Sequence, residues 1–160
     1  MRRASLVLAA SAFLGAGLAA PAIAQPRDIV ETAVAAGNFK TLARLLAEAG
    51  LVEVMKGPGP YTVFAPTDEA FAKVPKDVLD ALARDKARLA QVLTYHVLTS
   101  KWTADDVKLV KTTGTAQGKP IDIAVSGGSL TINGAKVVKA DIDCTNGIIH
   151  VIDTVLMPPQ

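Results

Sequence analysis

The sequence predicts an α+β domain in which helices come first and short antiparallel strands follow. Two observations carry that reading. Between Asp28 and Thr94 apolar residues recur at helical spacing, punctuated by Gly37 and Gly50. From Lys108 onward, short runs rich in Val, Ile and Thr are separated by Gly-Gly and Asn-Gly turns. Elements segregated along a chain in this way fold as α+β rather than as a wound parallel sheet. No internal repeat or low-complexity tract interrupts residues 25–160, which are read as one domain.

What precedes that domain reads as a leader. Arg2 and Arg3 are followed by an apolar run from Leu6 to Ala20 and by the small-residue site Ala22-Ile23-Ala24. This is the pattern of a secretory signal peptide over residues 1–24, cleaved before Gln25. The run is shorter than the roughly 20 residues that a spanning helix needs, and no later segment replaces it, so no membrane anchor is expected in the mature chain. The chain has 17 Lys and Arg against 15 Asp and Glu. Since Arg2 and Arg3 fall in the leader, the mature protein is charge-balanced, which removes the electrostatic basis for binding nucleic acid. Cys144 is the only cysteine, so no internal disulfide can form and the fold must hold by packing.

The elements follow in order. Asp28 can cap a helix through Ala36 that Gly37 stops, and Asn38 can cap a second, FKTLARLLAEA, that Gly50 stops. In the second, Phe39, Leu42, Leu45, Leu46 and Ala49 form one buried stripe. MKGPGPY is a turn by composition, and YTVFA a strand. Helices are read from Thr67 to Lys73, Pro75 to Leu82 and Lys86 to about Thr94. Thr103 stands three residues before Asp106, the spacing of a helix cap, with Trp102 before it as a lid on the core. The strands are KLVKTT, IDIAV, LTI, AKVVKADI and GIIHVIDTVL, with Asn133-Gly134 setting a tight hairpin.

One stretch decides between enzyme and scaffold. In YTVFAPTDEAF, Tyr61 to Phe71, a strand ends in Pro-Thr and two carboxylates follow. Pro66 stops the strand, Thr67 is placed to cap the next helix, and Asp68 and Glu69 lie in its first turn, where the helix dipole favours negative charge. Consecutive helical residues point about 100° apart, so these two acids cannot converge on one substrate atom. Phe71 supplies a core anchor.

This stretch, followed by VLTYHVL at Val92 to Leu98 and closed by NGIIHVIDTVLMP at Asn146 to Pro158, resembles the fasciclin domain in composition, order and spacing. The likeness spans Asp28 to Pro158. It implies a wedge-like β-sandwich of antiparallel strands packed beside a group of helices. The motif residues with structural roles would be Thr62, Phe64, Pro66, Thr67, Asp68, Phe71, Asn146, Gly147, His150 and Asp153. Tyr95 and His96 match the family's Tyr-His pair, which implies a contact site. Read from the residues alone, the pair sits where a helix gives way to a strand, so the two side chains point in different directions and one turns inward; a buried His or Tyr hydrogen-bonded to backbone is favoured over a binding role.

The remaining chemistry-bearing residues read as structural. Strand alternation places His150 with Ile148, Ile152 and Thr154, opposite Ile149, Val151, Asp153 and Val155, and a lone His on an apolar face is a satisfied core residue more often than a ligand. His96 and His150 lack the close i, i+4 pairing of zinc proteases, and no metal or cofactor is expected. Cys144 has no nucleophile motif around it. Lys101, Lys108, Lys111, Lys136 and Lys139 are read as guards of strand faces and edges. The function expected is that of a secreted or periplasmic, non-enzymatic monomer that binds a surface protein or polysaccharide. The alternative is a carrier holding an apolar small molecule between helices and sheet.

Overall fold

Asp28 starts the first helix as its spacing to Glu31 requires. Its Oδ1 accepts from the Glu31 amide at 2.8 Å, and the Glu31 carboxylate accepts the Asp28 N–H at 3.4 Å, closing a capping box on α1 (Ile29–Ala36). The computed structural model describes residues 26–159. The expected leader and its cleavage site lie outside them. After α1 come α2 (Lys40–Glu48), α3 (Val52–Met55), β1 (Tyr61–Pro66), α4 (Asp68–Ala72), α5 (Lys76–Arg84), α6 (Lys86–Tyr95), β2 (Val97–Leu98) and α7 (Ala104–Lys108). The strands β3 (Thr112–Gly114), β4 (Pro120–Ser126), β5 (Ser129–Ile132), β6 (Ala135–Cys144) and β7 (Gly147–Ile152) complete the chain.

Three local expectations are corrected. Asn38 does not cap α2: Phe39 occupies that position without a side-chain bond, and the open Thr41 amide is satisfied from α4 by the Asp68 carboxylate at 2.8 Å. KLVKTT is not one strand. The Thr103–Asp106 capping box starts α7, which keeps the chain helical through Lys108, and strand geometry begins only at Thr112. The closing strand stops at Ile152 rather than Leu156, because the Asp153 backbone and side chain turn to the main chain of Lys136. The short helix α3 has no strong sequence signal.

The sheet has seven strands in the order β2-β1-β7-β6-β5-β4-β3. All neighbouring pairs are antiparallel except one: β1 runs parallel to β7, in a register that opens with Tyr61 opposite Gly147 and closes with Pro66 opposite Ile152. The Asn133-Gly134 turn has positive φ at both residues, 48° and 82°, and joins β5 to β6 as a two-residue hairpin. Strand β7 is covered on both faces, which explains its near-continuous apolar run. On one face Ile149 and Val151, with Val63 and Ala65, pack under α1, α2 and α6. On the other, Ile152 and Phe64 pack with Tyr95, Leu98, Val107 of α7, and Ile121, Ile123, Leu130 and Ile132 of β4 and β5. Two register shifts in β6, between Val137 and Lys139 and between Lys139 and Ile142, bend it so that the far strands close over this second core as a wedge.

Candidate functional site

The polar motif residues are turned inward, each onto main-chain groups that would otherwise lack partners. Thr62 Oγ1 donates to the Ser100 carbonyl at 2.5 Å and accepts from the Trp102 amide at 2.8 Å, anchoring the loop after β2. Asn146 holds three segments at once. Its Oδ1 accepts from the Ile29 amide at 3.0 Å, and its Nδ2 donates to the carbonyls of Met55 and Gly57 at 2.7 and 2.8 Å. His150, fully buried and stacked on Phe64, donates from Nε2 to the Trp102 carbonyl at 2.8 Å and accepts the Asp141 amide on Nδ1 at 3.2 Å. Asp153 accepts the Lys136 amide at 2.9 Å. Thr67 caps α4 through the Ala70 amide at 3.2 Å, and Phe71 is buried beside α2. The paired acids diverge: Asp68 caps α2, while Glu69 is exposed.

Tyr95 and His96 are 1% and 2% exposed, and neither side chain presents a contact surface. The buried, backbone-bonded reading holds for both residues where one inward side chain was expected, and the contact role implied by the resemblance has no exposed side chain to carry it. The side chains do diverge at the end of α6, but the sheet has a core on each face, so opposite directions both lead inside. Tyr95 enters the second core, where its hydroxyl donates to the Pro120 carbonyl at 3.0 Å and accepts from Asn133 Nδ2 at 2.6 Å, tying α6 to two strands. His96 lies beside the first core, donating from Nδ1 to the Val92 carbonyl at 2.7 Å and accepting the Leu156 amide on Nε2 at 2.9 Å.

This geometry needs His96 neutral. A second ring proton would face the Leu156 N–H, and burial already pushes the pKa down from 6.5 to about 4, against a smaller raising effect of the Val92 carbonyl. The unfolded chain therefore takes up a proton on acidification that the native state refuses. The stability is present in full above pH 6.5 and is lost progressively from there down to about pH 4, amounting to about 3 kcal/mol. Burial lowers the His150 pKa too, in the same sense. Urea denaturation at pH 7.5 and pH 4.5 should show this loss, and His96→Gln should flatten the dependence over that window. Equal midpoints for the native chain at both pH values would refute it.

The other candidate for chemistry does not assemble a site. Cys144 is half-buried, and burial raises its thiol pKa. Both ring nitrogens of His150 are already engaged, so it is not free to serve as its base. Among the described residues no group of three or more His, Cys, Asp or Glu is placed to hold a metal ion. Trp102 is half-buried against the second core. Of the surface lysines, Lys101 pairs with Asp143 at 2.8 Å and Lys108 with Asp105 at 3.6 Å.

A groove remains, but it does not lie between helices and sheet, where the carrier alternative placed one. About 600 Å³ in volume, it runs between α5 and α6, flanked by the Gln117–Lys119 turn before β4 and by the terminal segment Met157–Pro159. Its apolar surface comes from Val78, Ala81, Leu82, Val92 and Met157. Val78 and Leu82 sit four apart on α5, a spacing that signals a helix face but not that part of the face stays uncovered. The His96–Leu156 hydrogen bond holds the chain next to Met157, so the buried ring positions one wall of the groove.

Comparison with known proteins agrees with this architecture. The family model described as "Fasciclin domain" matches residues 37–158. The protein sll1735 of Synechocystis sp. is 44% identical over 130 residues, which cover 81% of this chain and 97% of the relative. The immunogenic protein MPB70 of Mycobacterium bovis is 36% identical over 147 residues, covering 87% and 75%. A solved FAS1 domain pair from the insect cell adhesion molecule fasciclin I superposes with a TM-score of 0.60 at 20% identity, over 76% of this chain and 46% of that one, and shares the fold. The match of the family model over most of the described residues, together with the inward-turned motifs and the wedge, places this chain in the fasciclin domain family.

Proposed function

We propose that this chain is an exported, non-enzymatic binding module that contacts a protein or polysaccharide at the cell surface or outside the cell. The observation that carries the reading is the fate of the motif side chains: Thr62, Tyr95, His96, Asn146 and His150 are all buried and bonded mainly to backbone, which leaves no convergent acid, base or nucleophile among them. The groove on α5 and α6 favours a second reading, a carrier of a small apolar molecule, because its volume lies within the range of ligand pockets.

Native mass spectrometry of the protein purified from the envelope of its own host tests both. The mature mass should correspond to a chain beginning at Gln25, and a copurifying macromolecule supports the adhesion module. A retained small ligand supports the carrier instead. Turnover of a substrate by the purified protein would overturn the non-enzymatic reading, and a mass that retains Met1 would overturn export by cleavage.

A further inference from the structure

The groove's lining narrows what it would hold. Among the described residues its lining contains no aromatic ring, and its apolar surface is aliphatic: Val78, Ala81 and Leu82 from α5, Val92 from α6 and Met157, Pro158 and Pro159 from the terminal segment. Sugars are held largely by stacking on aromatic faces, which this surface does not supply. The charged groups at its margin are two cations, Arg88 and Lys119, and one carboxylate, Asp77. Arg88 forms a long ion pair with Asp85 at 3.9 Å, with its side chain largely exposed, and among the described residues the Lys119 ammonium is bonded to an uncharged group, the Pro159 carbonyl. Asp77 lies in the first turn of α5, where the helix dipole already stabilises it. Gln91 and Gln117 add amide donors to the same rim.

We propose that this groove binds a free single-chain amphiphile with an anionic carboxylate head, its alkyl chain lying along α5 and α6 and its head received by Lys119 and Arg88. The proposal rests on the carrier reading of the groove, whose ligand class it specifies. An alkyl chain suits the aliphatic floor, because burying it releases apolar surface from water on both partners. A carboxylate suits the rim, because a hydrogen bond assisted by charge at both ends is the strongest that Lys and Arg side chains offer. The terminal segment, fixed at Leu156 by His96, closes one side.

The test is titration calorimetry of the mature protein with dodecanoate below its micellar concentration. Dodecanol and large anionic phospholipid vesicles are run in parallel. Saturable binding of one dodecanoate per chain is expected. It should weaken by about tenfold or more in the double variant Arg88→Gln, Lys119→Gln, and disappear in Ala81→Trp, which fills the groove from an exposed position. Melting curves matching the parent establish that both variants are folded, and methyl chemical shifts of Val78, Leu82 and Met157 in the parent locate the site independently. Dodecanol binding as tightly as dodecanoate would overturn the head-group assignment. Absence of saturable binding, binding unchanged in Ala81→Trp, or binding to vesicles alone would overturn the proposal. If dodecanoate fails while the host-purified protein carries a macromolecular partner, only the amphiphile is lost and the binding-module reading stands.

Discussion

Gly147→Ala should abolish cooperative folding or come close to it. The constraint is one of space rather than backbone angle: a Cβ at this position would stand 2.0 Å from the Tyr61 carbonyl oxygen, 2.8 Å from its carbon and 2.9 Å from Ile29 Cδ1. Two of these atoms are backbone, so no side-chain rotation relieves the clash. Gly147 opens the parallel register of β1 and β7, and Asn146 beside it ties β7 to the start of α1 and the end of α3. Pushing the two strands apart breaks that pairing and strands buried amides and carbonyls of three segments together. The cost is about 4 kcal/mol or more, a large part of the stability of a domain this size. Urea unfolding followed by circular dichroism would show it, and a midpoint equal to that of the parent would disprove the close approach.

Ile149→Ala should cost about 2 to 5 kcal/mol through lost burial and the cavity left behind. Ile149 is 1% exposed in the middle of β7, opposite Val63 on one side and Ile142 on the other, and faces the helices. The packing beside it is already imperfect: a void of about 20 Å³ with a mainly apolar lining lies among Ile29, Leu42, Met55, Val63, Leu93 and Ile149. Truncation enlarges a space whose walls are helix and sheet, neither of which can collapse to fill it. In a domain of this length the loss corresponds to a melting temperature lower by about 7 to 18 °C. Val138→Ala, at an exposed position of β6, should change stability by no more than about 0.5 kcal/mol. Should the two variants melt alike, β7 is not the central buried strand described here.

Much of this architecture was legible along the chain because its signals are local. Asp28 with Glu31, Thr67 with Ala70 and Thr103 with Asp106 each satisfy amides within one turn, so each interaction is contained within a single short stretch of sequence. The Asn133-Gly134 hairpin is equally local, since its positive φ angles are a property of two residues. The failures involve distant partners. Asn38 looked like a cap, but the amide in question is reached by Asp68, 27 residues further on. For Tyr95 and His96, the sequence shows that two side chains diverge but not how many cores they diverge into, so the burial of both is not legible in it.

The sequence by itself determined the order and type of most elements, the α+β class and the likeness to fasciclin domains, since periodicity, caps and turn residues act over a few positions. Only the tertiary structure decided the parallel pairing of β1 with β7, the burial of both Tyr95 and His96 and the groove on α5 and α6. These depend on which faces remain covered once distant segments meet, and the free energy that selects them comes from contacts between residues far apart in the chain, such as Ile29 and Asn146, 117 positions apart.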